Sequence, residues 1–144
     1  MKAIGVDIGG TKTAIGIIDY KTGKISKKLI FPSKSFKNDT KNLNLIIEKT
    51  LELSNINIIN RIGIGVPELI NNKGIIKGNY NFNWNNINLT KYSPKDIKVL
   101  VDSDVRCHLR AEKFFGVAKN YKNFAYINIG TGLSYAQFKE NDIY

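Results

Sequence analysis

The stretch GVDIGGTKTAIGII (residues 5–18) ends an apolar run in a carboxylate, Asp7, and follows it with Gly9, Gly10, Thr11 and Lys12. A polyphosphate needs several hydrogen-bond donors at close range. Backbone N–H groups deliver them only where no Cβ intervenes. Gly9 and Gly10 allow that approach, Thr11 adds a hydroxyl, and Lys12 adds a positive charge. Asp7 is placed to hold a Mg²⁺ through water, because Mg²⁺ keeps much of its hydration. A second bare turn, Gly130-Thr131-Gly132, follows another apolar run and would grip the same polyphosphate from the other side. One Gly-Gly turn alone reads as an ordinary hairpin. Two such turns, each behind an apolar strand, favour phosphate. YINIGTGLSYAQF laid on GVDIGGTKTAIGI makes a weak internal repeat in which Asn128 falls where Asp7 stands.

A second constellation is Val101-Asp102-Ser103-Asp104, with Asp102 or Ser103 capping a helix and Asp104 in its first turn. There the helix dipole is expected to hold the Asp104 pKa low. Such a carboxylate can take the proton of a substrate hydroxyl as that oxygen attacks phosphorus. An aspartate that merely helps to cap the helix is the plainer reading. Four residues on, His108 can meet Asp104 along the helix face, although a partly buried structural histidine accounts for it as well. Cys107 reads as a small core residue with no basic partner. Trp84 reads either as a platform for a sugar ring or as an aromatic anchor for a long loop.

These residues need elements to position them. Residues 3–7, 13–19 and 24–31 read as strands with short links, an antiparallel meander that Pro32 ends. Leu43, Ile46, Ile47, Thr50 and Leu51 have helical spacing, with Asn38, Asp39 or Thr40 as cap and an end near Asn55. Residues 61–66 form a short buried strand stopped by Pro67. Residues 71–88, rich in asparagine, form a long loop with little regular structure. A strand at 97–101 leads into a helix ending near Phe115 and Gly116, with Val105, Leu109 and Ala111 towards its buried side. Residues 123–129 and 134–139 make a final strand pair. The expected fold is α/β: an RNase H-like lobe with a mixed five-stranded sheet over residues 1–118, then the opening hairpin of a second lobe over 119–144.

Composition sets outer limits. The chain has 144 residues, 42% hydrophobic and 24% charged, which suits a globular domain. One cysteine excludes a disulfide framework and suits a reducing compartment. The start reaches Asp7 and paired glycines too soon for a secretory signal, and no apolar run has the length of a membrane span. A cytoplasmic protein without membrane attachment is expected. The net charge of +10 comes from scattered lysines amid many asparagines and isoleucines, a trio that rises with A+T-rich coding. It is therefore discounted as a sign of nucleic-acid binding, although a positive field would attract an anionic nucleotide.

DIGGTKT, GIGVP, YNFNW, VDSDVRCHLRAEKFFG and NIGTG, in that order and over essentially the whole chain, resemble the ROK family of sugar kinases and sugar-responsive repressors. That family belongs to the actin-like ATPase and sugar kinase superfamily. The resemblance implies two RNase H-like lobes, MgATP between the glycine hairpins, and phosphate transfer to a hexose or N-acetylhexosamine hydroxyl. By motif, Asp7 to Lys12 would form the first phosphate hairpin and Gly130, Thr131 and Gly132 the second. Asp104 matches the general base, and Asn81 with Ser103 matches the sugar-binding positions.

The chain also departs from the family pattern. Ser103 stands where an asparagine is usual, and Glu68 follows Pro67 where the family has a glycine in a tight turn. Leu133-Ser134-Tyr135 replaces further glycines. The family's later sugar-binding residues, its Cys/His zinc site and its adenosine pocket have no counterpart in these residues, so no zinc site is expected here. A second lobe or a partner chain would have to supply the rest, and a homodimer is compatible. Little or no kinase activity is expected of the chain alone, since phosphoryl transfer depends on closing two lobes. Two other readings stay open. One is a non-catalytic sugar-binding module of repressor descent, though little chain precedes Asp7 to carry a helix-turn-helix. The other is an RNase H-like nuclease holding two metals with Asp7, Glu48, Glu68 and Asp104.

Overall fold

The computed structural model describes residues 1–130 and 132–144. Strands β1 (Lys2–Ile8), β2 (Lys12–Asp19) and β3 (Ile25–Pro32) form the meander. After helix α1 (Asp39–Asn57), β4 (Arg61–Val66) and β5 (Lys98–Ser103) complete a mixed sheet of order β3-β2-β1-β4-β5. β1 is antiparallel to β2, whereas β1–β4 and β4–β5 are parallel. Helix α2 (Asp104–Phe114) then leads to a second sheet of β6 (Asn123–Ile129), β7 (Leu133–Lys139) and the short β8 (Asp142–Ile143), all antiparallel. Strand β8 was not legible in the sequence.

The period-two pleat buries Ile4, Val6 and Ile8 on one face of β1. They join Ile15, Ile17, Ile62 and Val66 in a core closed by Leu43, Ile46 and Leu53 of α1. Asn38 caps α1, its side-chain oxygen accepting the Lys41 N–H at 3.0 Å. The helix ends at Ile58 in left-handed conformation, φ +52°, with the side chain 95% exposed. A β-branched residue is strained there and gains no packing in return.

The asparagine-rich loop is firmly packed. Phe82 and Trp84 stack with ring centroids 4.0 Å apart, both almost wholly buried. The Trp84 indole N–H donates to the Asp39 carbonyl at 3.1 Å, and the Asn83 N–H donates to the Asp39 carboxylate at 2.7 Å. Trp84 is thus an anchor under the start of α1 and offers no face to a sugar. A 3-10 turn, Leu89–Tyr92, follows the loop.

Helix α2 buries Val105 and Leu109 against Ala136 and Phe138 of β7, and so joins the two sheets. Ala111, expected on the buried side, is exposed. The helix does not end in a glycine of positive φ: Phe115 is the cap, at φ −126°. Gly116 is there for space, because the Glu112 carboxylate occupies the position of its missing Cβ. At the other end α2 crosses Gly65, whose added Cβ would lie 3.4 Å from the Asp104 Cα and 3.5 Å from the Cys107 Sγ.

Replacing Ile58 with glycine removes the left-handed strain and is expected to stabilise the chain by about 1 kcal/mol. Urea unfolding at unchanged m-value measures it.

Candidate functional site

Three parallel strand ends build the site. In register, Asp7 of β1 lies beside Gly65 of β4, Gly65 beside Asp102 of β5, and Val66 beside Ser103. Because α2 starts immediately after β5 and passes close over Gly65, Asp104 is delivered to the end of the sheet where Asp7 stands. The carboxyl ends of parallel strands are the usual location of ligands in sheets of this type.

At the β1–β2 hairpin the Gly9 N–H donates to the Lys12 carbonyl at 2.9 Å and closes the turn. The N–H groups of Gly10 and Thr11 have no partner among the described residues. Neither glycine has a positive φ, so the need for glycine is one of close approach. A Cβ on Gly10 would lie 2.7 Å from the Asn81 Oδ1, and one on Gly9 would lie 3.0 Å from the Lys12 carbonyl oxygen. The second turn closes in a similar way, Gly130 N–H donating to the Gly132 carbonyl at 2.9 Å.

A cleft of about 880 Å³ brings together Gly9, Gly10, Thr11, Asn81, Ser103, Asp104, Asn128 and Gly132. Leu133, Ser134 and Tyr135 also border it. Three residues expected at a nucleotide site, Asp7, Lys12 and Gly130, are not in its lining. Lys12 is exposed at the start of β2, and Asp7 lies beside the cleft next to His108. Thr131 lies outside the described residues.

The carboxylates at this end have different surroundings. Asp102 accepts the Ser103 N–H at 2.8 Å and pairs with Arg110 at 2.5 Å and Arg106 at 3.5 Å. It is a structural acid, and it does not cap α2. The capping position is Ser103, whose hydroxyl makes no capping bond and borders the cleft. Asp104 accepts its neighbour's N–H, from Val105, at 2.6 Å. Burial raises its pKa; the Val105 hydrogen bond and the His108 charge oppose the shift, and the nearby Asp7 charge adds to it. The dipole-lowered pKa expected from the sequence is therefore corrected: loss of water outweighs the helix terminus.

His108 meets Asp7 across the sheet, Nε2 to Oδ1 at 3.9 Å. At that distance the contact is an ion pair and too long for a hydrogen bond. The interaction with Asp7 raises the histidine pKa, and burial works against it. Its Nδ1 is buried without a partner among the described residues.

The carboxylates of a two-metal nuclease are not gathered. Glu48 is exposed on α1, and Glu68 is buried and holds three backbone N–H groups. No group of three potential metal ligands occurs among the described residues, and none of their helices is long and apolar enough to cross a membrane. Sequence reasoning took Glu68 as a charge in place of a turn glycine and as a candidate nuclease ligand; its grip on three loop amides had no signal in the sequence.

Comparison with known proteins agrees with this architecture. The ROK family model matches residues 3–143, so the chain belongs to the ROK family. The glucokinase of Thermotoga maritima is 31% identical over 137 residues, covering 92% of this chain and 43% of the relative. A xylose repressor of Bacillus spizizenii is 33% identical over 85 residues, 58% of this chain and 22% of the relative. The crystal structure of a ROK family glucokinase from Streptomyces griseus, in complex with glucose and AMPPNP, superposes with a TM-score of 0.88 at 24% identity. It covers all of this chain and 46% of that one. The fold is thus that of the actin-like ATPases. The chain spans less than half the length of these relatives, which include both sugar kinases and a repressor.

Because the pKa of His108 is raised on folding, its contribution to stability is complete below about 6.5 and is lost as pH rises through the raised value. The stability lead of the wild type over His108→Gln is expected to be larger at pH 5 than at pH 9, as read by urea unfolding at the two pH values.

Proposed function

We propose that the cleft is the sugar- and phosphate-binding half of an ATP-dependent sugar kinase acting on a hexose or N-acetylhexosamine. One observation carries the reading. Unpartnered hairpin N–H groups, the Asn81 amide, the Ser103 hydroxyl and the Asp104 carboxylate all converge on one cleft.

In this reading Asp104 takes the proton of the sugar hydroxyl as that oxygen bonds to the γ-phosphorus of ATP. The bond from that phosphorus to the bridging oxygen breaks, and ADP leaves. Burial strengthens Asp104 as a base, since a carboxylate of raised pKa binds the incoming proton more firmly. The Gly10 and Thr11 N–H groups would hold phosphate oxygens, Lys12 would add charge from the hairpin rim, and Gly130, Thr131 and Gly132 are taken by motif as the second phosphate turn. Asn81 and Ser103 would orient the sugar.

Asp7 fits a Mg²⁺ held through water. Its side chain is 57% exposed, with His108 at 3.9 Å and the Asp104 carboxylate also near enough to feel its charge. Such an ion, when bound, supplies neutralisation of phosphate charge. ATP, Mg²⁺ and sugar are thus the implied ligands, with the cytoplasm as the compartment that supplies ATP. Residues 1–118 would act as one lobe and 119–144 as the opening of a second, completed by further chain or a partner subunit. The xylose repressor relatives support a second reading, a sugar sensor that binds without transferring phosphate.

The test is a coupled ADP-release assay with glucose, run on the chain alone and on the chain completed with a second lobe. The completed protein is expected to turn over and the chain alone to be nearly inactive. Asp104→Asn is expected to lower kcat by about 10²–10⁴-fold. Its melting temperature at pH 7 should equal or exceed that of the wild type, because the buried ionised carboxylate it removes is destabilising there. Full activity in Asp104→Asn would overturn the kinase reading, and sugar binding without turnover in the completed wild type would favour the sensor.

A further inference from the structure

Glu68 is a carboxylate only 4% exposed, and it has no ion-pair partner among the described residues. An isolated buried charge is costly unless hydrogen bonds replace its water. Here backbone donors replace it. Oε1 accepts the N–H groups of Asn81 at 2.6 Å and Phe82 at 3.1 Å, and Oε2 accepts that of Tyr80 at 2.9 Å. Three consecutive amides of the loop thus converge on one side chain at the end of β4. Gly78 makes room for it, since a Cβ there would lie 2.8 Å from Oε2.

The consequence reaches Asn81. With its backbone held by Glu68, its side-chain Nδ2 donates to the Pro67 carbonyl at 2.8 Å. Its Oδ1 is turned towards the hairpin tip, within reach of a Cβ added to Gly10. Phe82 and Trp84, next in sequence, lock the far side of the loop into the core. The amide of Asn81 is therefore fixed from one side by Glu68 and Pro67 and abuts the phosphate hairpin on the other. A glycine at position 68 could not make these contacts.

We propose that Glu68 is a positioning residue: by collecting the Tyr80, Asn81 and Phe82 amides it sets the Asn81 side chain between the sugar-side loop and the Gly9-Gly10 hairpin. The inference rests on the kinase reading only for its consequence in catalysis; the geometry it asserts can be tested without turnover. Glu68→Gln is nearly isosteric but replaces one acceptor oxygen with an NH₂ donor, which must oppose one or more of the loop amides.

In the 144-residue chain, amide exchange by NMR should quicken at Tyr80, Asn81 and Phe82 by about tenfold or more, the scale of losing a charge-assisted hydrogen bond. Exchange at Val6 and Ile64 should hold. The Asn81 side-chain NH₂ resonances should move towards free-amide positions. Gly78→Ala, which displaces the carboxylate without removing it, should give the same pattern. In the completed kinase, Glu68→Gln should raise the KM for glucose about tenfold, with a smaller change in kcat and an unchanged KM for ATP.

Unchanged exchange and NH₂ shifts at these residues in both variants would overturn the proposal. So would quickened exchange spread evenly over the sheet, which would make Glu68 a general structural residue. Asn81→Ala separates the two claims: if it leaves the glucose KM unchanged while the NMR pattern stands, the sugar-site reading fails and the positioning geometry survives. If Asn81→Ala raises KM and Glu68→Gln does not, the positioning role fails and the sugar site survives.

Discussion

The site depends on the register of three parallel strands. Pairing Asp7 with Gly65, and Gly65 with Asp102, brings the ends of β1, β4 and β5 level. A slip of one residue would turn Asp7 into the core and its neighbours Val6 and Ile8 outward, because the side-chain period is two. The register is held by Ile4, Val6, Ile8, Ile62 and Val66, all buried on the face that α1 covers. Gly65 then lets α2 approach the sheet closely, and Asp104 comes to the same end as Asp7. Core packing and site geometry are in this sense one constraint.

Four acids near that end show how far environment decides what a carboxylate does. Asp7 is open to solvent, with His108 and Asp104 near it. Asp102 lies between two arginines and fastens α2 to β5. Asp104, part-buried and beside Asp7, is pushed towards its protonated form. Glu68 is the most deeply buried and is satisfied wholly by backbone amides. The side chain is similar in all four. Water access and donor supply separate the four environments: open to solvent, braced by arginines, part-buried beside another acid, and satisfied by backbone amides.

The second sheet has two unlike faces. Ala136 and Phe138 of β7 pack on α2, whereas Ile127, Ile129, Leu133 and Tyr135, which pair across β6 and β7, are exposed. Ile129 is 82% and Leu133 74% exposed, and Leu133 borders the cleft. An apolar face of this kind on a sheet whose other face is already covered accords with a proposed second lobe or partner seated there. The curated relatives are more than twice as long as the segment they share with this chain.

Much of the fold was legible because it rests on local pattern. Alternating isoleucines marked the strands, helical spacing marked α1, and the ordered motifs pointed to the ROK family and its mixed sheet. The strand at Arg61–Val66 and the one at Asn123–Ile129 lie where their apolar runs placed them. The asparagine-rich loop has little regular structure, as its composition indicated, but composition could not show that buried Ile76, Phe82 and Trp84 and the Glu68 carboxylate hold it in place. Asp104 could be chosen by motif and its pKa could not, since burial comes from chains distant in sequence. The same holds for His108, which neighbours Asp104 in the helix yet pairs with Asp7, and for Glu68, whose charge looked like a defect in a turn. What the residues determined by themselves were periods, caps and bare turns, all set by contacts within a few positions. What only the tertiary structure decided was which donors and charges meet across the sheet, because desolvation and hydrogen bonding depend on neighbours that the linear chain holds far apart.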